Sequence, residues 1–598
     1  MRTLPWMVTA AVFVSLSAAA QNATETQPTS QPASVETSAP ALTPDQVQPT
    51  TQPATQAATA SSGPQPATMD QVVDRFILRE KGLIKMLATR TPVIETYLQN
   101  LTLDPQLGPV PQTDRYFLGR MDLSTTIDRK DYIKDAQTIE KHLLGGFFGK
   151  LFKIQYQPLG FSWMIFADRN DFDREHYDFR YVRREFLGEV RCLVFDVTPK
   201  NGSGQGRFLG RIWVEDQDYN IVRLNGTYAP QPRNAYFFHM DSWRLNLIPG
   251  YWIPTCIYSE EGDFSAGAKN QLAFKAQTRI WGYDLKKNGQ TDELTNISVD
   301  SSVKDDSAAA QDASPLQAQR QWQQQAEDNV VARLQDAGLL APEGEVDKIL
   351  MTVVSNLEIT NNIELPRPIR TRVMLTSPLE TFSVGNTIII SRGLIDTLPD
   401  EASLAMVLSH ELAHIVLGHN LGSKFAFDDR MLFSDESTYN NFGFRHVPEE
   451  EAAADKKALD LLKNSPYSQK LDVAGLYLKE LSTRGPELSA LLTAHLGNSF
   501  ADDKGNLIRL TTLMNSAPAL DPNKLDQITA LPLGGRIKLN PWDNKVEMIK
   551  TAPVAITSAR DKMPFEVTPF FPRLTRYNSG GANGASTSAA ANTAPANQ

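Results

Sequence analysis

The sequence predicts a multidomain α+β protein, with a β-rich N-terminal part followed by a mainly helical part that carries a small edge sheet. Three observations predict this. From about residue 115 to 258 the chain consists of short segments rich in β-branched and aromatic residues, broken by Gly, Pro, Asn and Asp. Residues 301–322, "SSVKDDSAAAQDASPLQAQRQW", have the composition of a linker entering a helix. Beyond them, apolar positions recur at helical spacing, above all in "PDEASLAMVLSHELAHIVLGH" (399–419).

Taken in order, residues 1–20 combine Arg2, an apolar run and an Ala18-Ala19-Ala20 ending, which is the pattern of a secretory signal peptide. The run is shorter than the ~20 residues that a spanning helix needs. No later stretch is apolar enough to cross a bilayer, so the mature chain is expected to be exported, periplasmic or secreted, without a transmembrane span. Residues 21–67 are rich in Thr, Gln, Pro, Ser and Ala, and cannot bury enough surface to fold. A similar tail occupies 578–598. The roughly 510 residues between exceed what one core usually holds. They divide into a helix plus β-rich domain (68–300), the linker (301–322) and a second domain with a C-terminal extension (323–577).

The first domain opens with a helical stretch at 69–88. The segments 186–200, 210–228 and 248–258 follow as strands, the second turning at Asp216–Asn220. The two cysteines, Cys192 and Cys256, both fall in apparent strands of an exported domain. Export permits a disulfide, while two buried thiols are the competing state. His176 and His239 are isolated and read as structural. A formal net charge of −10 without a basic stripe excludes nucleic acid as a partner and argues against charge-driven adhesion to anionic membranes.

The chemistry concentrates in "LSHELAHIVLGHN" (408–420). On a helix, His410 and His414 are one turn apart and about 40° apart around the axis, so two imidazoles can share one metal ion. Glu411 flanks them. His419 falls about 140° from His414 and about 180° from His410 and points elsewhere. The pattern is His-Glu-x-x-His, in which two histidines bind zinc and the glutamate is the general base. Asp400 is placed to cap this helix. A buried histidine pair satisfied by neighbouring polar groups is the competing reading.

A catalytic zinc takes a third protein ligand. A continuation His-x-x-Gly-x-x-His is absent, because Leu417 and Asn420 stand at the required positions. Downstream, "HVPEEEAAADKKALDLLKN" (446–464) offers Glu449, Glu450 and Glu451 on a second helix. Glu451 alone has a carboxylate four residues on, at Asp455, which puts both acids on one helix face. Glu451 can therefore bind the metal while Asp455 accepts a hydrogen bond from a ligand histidine. Glu449 and Glu450 read as a solvated helix N-terminus favoured by the dipole.

"SHELAHIVLGH" followed by "EAAAD" resembles the HtpX and CAAX-prenyl-protease family of gluzincin metallopeptidases, over roughly residues 345–540. The stretch 381–408 is also similar to that family. The resemblance implies a zincin-type fold and one Zn2+ per chain held by His410, His414 and Glu451. It also implies Glu411 as base, Asp455 behind a ligand, and protein or peptide substrates. It further implies that an edge strand at Phe382, Ser383 and Val384 receives substrate backbone by β-augmentation. The chain departs from the family in lacking flanking membrane spans. It also has His495 and Arg509 at a spacing unlike the family's compact His-Pro…Arg arrangement, so these two are carried over only as candidates. The strand texture of 68–300 resembles the curved half-barrel of periplasmic lipoprotein carriers, which implies a concave face for lipid or lipoprotein. The expected function is an exported zinc endopeptidase in envelope protein quality control. The alternative is a chaperone or lipoprotein-binding carrier whose metal site is closed.

Overall fold

The computed structural model describes residues 65–577 apart from 106, 125–126, 133–157, 230–237, 262–272, 284–314, 420–442, 503–505, 535, 541–542 and 550–555. Residues 1–20, read as a signal peptide, residues 21–64, residues 301–314 of the expected linker and the tail at 578–598 lie outside the described residues.

Helix α1 (Met69–Leu87) starts where Thr68 accepts from the Gln71 amide, and it buries Val72, Val73, Phe76, Leu83 and Leu87. The strands that follow are β1 (Val93–Asp104), β2 (Gly108–Asp122) and β3 (Asp128–Asp131). After the short helix α2 (Pro158–Trp163) come β4 (Tyr177–Leu187), β5 (Val190–Pro199), β6 (Arg207–Glu215), β7 (Ile221–Ala229), β8 (Phe238–Ile248), β9 (Tyr251–Glu261) and β10 (Ala273–Trp281). They form one ten-stranded antiparallel sheet in the order β3-β2-β1-β10-β9-β8-β7-β6-β5-β4. Its end strands β3 and β4 do not pair, so the sheet stays open rather than closing into a barrel. The β6–β7 turn falls at Asp216–Asn220, where Glu215 accepts from the amides of Gln217, Asp218 and Asn220.

Cys192 lies on β5 and Cys256 on β9, with three strands between them. At about 4.8 Å per strand the two backbones are about 19 Å apart, far beyond the ~7 Å Cα separation that a disulfide tolerates. Both are buried free thiols, and burial pushes each up to about 12.

The second part holds α3 (Pro315–Asp336), which begins inside the stretch read as linker, and α4 (Glu345–Thr360). A three-stranded sheet, β11 (Arg370–Met374), β12 (Thr381–Val384) and β13 (Thr387–Ser391), has the order β11-β13-β12 and leaves β12 at its edge. Then come α5 (Arg392–Thr397), α6 (Glu401–Leu417), α7 (Pro448–Lys463), α8 (Leu471–Arg484), α9 (Ser489–Leu492), α10 (Thr511–Ser516) and the hairpin β14 (Ile537–Leu539) and β15 (Val546–Met548). No helix among the described residues is long and apolar enough to cross a membrane.

Over its central strands the large sheet is buried on both faces, while the end strands β3 and β4 are largely exposed. On β1, Ile94 and Leu98 join the core under α1 and α2, while Val93 and Tyr97 join a second core shared with α3 to α8. The same alternation on β5 sends Leu193 and Phe195 to the α1 side and Cys192 and Val194 to the opposite side, against Leu574. The sequence predicted two domains divided by a linker. In the structure their apolar side chains form one continuous cluster, and residues 565–574 run back across the sheet.

Candidate metal centre

Helix α6 is set by its ends. Asp400 accepts from the Ser403 amide at 2.8 Å, as the sequence predicts, and Gly418 closes the helix in the left-handed conformation (φ 72°). The interior is apolar and buried on nearly all sides, and carries His410, Glu411 and His414 at 1%, 1% and 0% exposure. Helix α7 packs against α6 and starts with Pro448 in its first turn, with Glu449, Glu450 and Glu451 beside the positive end of the helix dipole.

This packing brings three donors together. His410 Nε2 lies 3.2 Å from His414 Nε2 and 3.2 Å from Glu451 Oε2, and His414 Nε2 is 3.4 Å from Glu451 Oε1. Among the described residues, these three are the one group of histidine, cysteine and acidic side chains placed so that it could hold a metal ion. Bonds of about 2.0–2.2 Å in a tetrahedral arrangement place ligand atoms roughly 3.3–3.6 Å apart, close to the 3.2–3.4 Å separations here. The protons agree with this. Asp455 Oδ1 stands 2.9 Å from His410 Nδ1, so a proton held there leaves the Nε2 lone pair facing Glu451 and His414. Convergent lone pairs and a carboxylate in a buried site call for a cation, and the donor set of two imidazoles and a carboxylate fits zinc.

Three further contacts surround the triad. Arg509, 2% exposed at its side chain, puts Nη1 3.4 Å from Glu411 Oε1 and Nε 3.4 Å from Glu451 Oε2. The next residue, Leu510, has a left-handed backbone (φ 51°), and Asp455 Oδ2 accepts its amide at 2.7 Å. Asp455 thus faces a histidine on one side and fixes the turn carrying Arg509 on the other. Asn498 donates its side-chain amide to Glu451 Oε1 and accepts from the His446 backbone N–H at 3.3 Å. Burial disfavours a charge on Glu451, but the adjoining His410 and His414 rings and the field of Arg509 outweigh it and hold the carboxyl far below its usual range.

Several expectations are modified. His419 does not continue around the helix, because Gly418 ends it. Its ring folds back with Nδ1 3.0 Å from His414 Nδ1. Glu450 is not only solvated, since it accepts from His446 Nδ1 at 2.9 Å, and the His446 ring stacks on His414 with centroids 3.9 Å apart. Arg509 reaches the centre. His495 stacks instead on Tyr116 of β2, with centroids 5.3 Å apart, and burial lowers it to about 4. Asn498, His446 and the inward turn of His419 were not foreseen. Each depends on a tertiary contact or a helix end, and no spacing in the sequence signals them. Phe382, Ser383 and Val384 do form an edge strand, but they are buried, and Thr381 already bridges Asn498.

Residues 347–434 match the model of Peptidase family M48. The matched stretch contains His410, Glu411 and His414, so this part of the chain is similar to a family of metallopeptidases; Glu451 and Asp455 lie beyond it. No match is found among curated proteins. Among solved structures, the chain is similar to a LolA superfamily protein from Nitrosomonas europaea at 10% identity and TM-score 0.20, covering 36% of this chain and 93% of that one. It is likewise similar to a DUF1329 family protein from Desulfovibrio piger at 11% identity and TM-score 0.18, covering 37% and 94%.

Proposed function

We propose that this chain is an exported zinc-dependent endopeptidase that hydrolyses peptide bonds in envelope proteins. The observation that carries the reading is the convergence of His410, His414 and Glu451, with Glu411 buried beside them. When bound, zinc polarises a carbonyl and lowers the pKa of water to about 7. His410, His414 and Glu451 would hold the ion, and Asp455, 2.9 Å from His410 Nδ1, would keep that ring's proton on Nδ1. Glu411 takes a proton from the attacking water and returns it to the leaving amine. Arg509 supplies a positive charge next to both glutamates. The edge of β12 beyond the Thr381–Asn498 bridge is the surface on which an extended peptide would pair, with the bridge itself kept.

The quality-control role and the exported location rest on the resemblance and on the signal pattern at 1–20. Lipid or lipoprotein binding at the large sheet has to use surface other than the face that α1 and α2 pack against. The test is cleavage of unfolded casein by the purified chain, with loss of cleavage on chelation and recovery on adding zinc. A chain that binds casein and never cuts it in the presence of stoichiometric zinc favours the chaperone or carrier alternative.

A further inference from the structure

Strand β2 of the large sheet sends polar side chains into the second part of the molecule. Asp114, buried, accepts the Ala490 amide through Oδ1 and the Leu491 amide through Oδ2, each at 2.8 Å, and the Tyr97 hydroxyl at 3.0 Å. These two amides belong to the single turn of α9. Two residues along β2, the Tyr116 ring stacks on His495. The segment then continues towards the metal centre under tight control. Leu496 and Gly497 donate their amides to Glu380 Oε2 at 2.9 and 3.3 Å, Leu496 O accepts from the Phe444 amide at 2.8 Å, and Asn498 pairs with Thr381. At its end Asn498 contacts Glu451, and the His446 amide on the Asn498 carbonyl oxygen fixes which end of the side chain donates.

We propose that the N-terminal sheet is a working part of the metal centre: Asp114 and Tyr116 hold residues 489–498 so that Asn498 orients the carboxylate of Glu451. Asp114 and Asn498 are positioning residues, which touch neither substrate nor metal. The physical case rests on economy of freedom. Glu451 is the triad member with the most exposed side chain, at 19%, and it lies on a first helical turn, where side-chain partners and not interior packing set the rotamer. Its partners besides the two histidines are Arg509 and Asn498. Asn498 in turn has a defined position because its segment is anchored at the start by Asp114, from another strand system, and beside Asn498 by Glu380 and Thr381. A carboxylate held ready loses less freedom when it takes up an ion, so its affinity is higher.

The inference rests on Glu451 being a ligand, and the experiment separates the two claims. Zinc affinity of the full chain is measured by competition with a chromogenic chelator, for the wild type, Glu451→Ala, Asn498→Ala, Asp114→Asn and the Asp114→Asn/Asn498→Ala double variant. Asn498→Ala is expected to weaken zinc by about 10–100-fold, and Asp114→Asn by about 2–30-fold. The double variant is expected to bind no more weakly than Asn498→Ala alone, because both act through one contact. Arg174→Ala, whose carboxylate partners are Asp70 and Asp74 on the surface, is expected to leave affinity unchanged. Wild-type affinity in Asp114→Asn, or losses that simply add in the double variant, would overturn the proposal. Retained affinity in Glu451→Ala would instead overturn the ligand assignment beneath it. If Asp114→Asn folds poorly, Tyr116→Leu removes the stack on His495 and takes its place under the same criteria.

Discussion

Two buried carboxyls carry the backbone of the segment that ends at Asn498, and burial, the largest influence on each, raises both Asp114 and Glu380 to about 7. Each therefore holds its proton more tightly folded than unfolded. Such a group adds stability below its unfolded pKa, and the contribution is lost as pH rises through the folded value. For these two the window runs from about 4 to about 7. The Glu380 share is isolated by comparison: between about pH 5 and about pH 8 the urea midpoint of metal-stripped wild type should fall relative to that of Glu380→Gln. An unchanged slope in Glu380→Gln would mean that the carboxyl is not protonated in the fold. These buried acids show what was not legible at this scale. Glu95, Gln99 and Asp114 look like outward polar positions of alternating strands, but both faces of the sheet are covered. Glu95 accepts from the Ser377 hydroxyl and from Arg392, each at 2.9 Å, while Gln99 exchanges hydrogen bonds with the backbone of Phe565 and Val567. His410, His414 and Glu451 were legible because the relevant distances lie within one helical turn, or are marked by a second acid one turn on.

Elements were most readable where their ends carry chemistry of their own. Asp400 caps α6 and the β6–β7 hairpin turns at Asp216–Asn220, both as predicted, whereas the Gly418 end of α6 was not foreseen. The same ends explain a misplacement. The 100° step that sends His419 away from the metal holds only while the helix continues, and the left-handed Gly418 stops it one residue earlier. The 494–500 segment has no periodicity to read, because its shape comes from Glu380, Phe444 and β12. Gly497 is its narrowest point. A Cβ there would lie 2.7 Å from Phe382 Cδ1 and 2.9 Å from Thr381 O. Gly497→Ala should therefore push the segment off β12, lower stability by about 1–3 kcal/mol, and weaken zinc binding through Asn498. Thermal unfolding and zinc titration of this one variant check both effects; a variant with unaltered zinc affinity would show that the segment's seat on β12 does not matter to the centre.

At the scale of the molecule, the linker reading suggested a peptidase part separable from its β-rich neighbour, and the packing argues otherwise. Val93, Tyr97, Tyr116 and Trp281 of the large sheet belong to the core that also holds Leu408 and Leu412 of α6. Arg392 at the head of α5 bonds Glu95 across the same boundary. A fragment spanning 323–577 should expose this apolar face and strand a buried arginine, and is expected to be insoluble or to lack a cooperative transition. The whole chain from 65 to 577 should unfold in one transition; a stable, cleaving fragment would refute that. The sheet is in this view a scaffold for catalysis as well as a neighbour to it, and everything turns on whether the three convergent residues hold a metal that Glu411 uses. The most direct measurement is zinc per chain after dialysis against a weak chelator, taken with casein cleavage on the same samples, for Glu411→Gln, Glu451→Ala and the exposed control Glu449→Ala. The account predicts about one zinc in Glu411→Gln with no cleavage, little or no zinc in Glu451→Ala, and wild-type behaviour in Glu449→Ala. Full zinc in Glu451→Ala, or wild-type cleavage by Glu411→Gln, would contradict it.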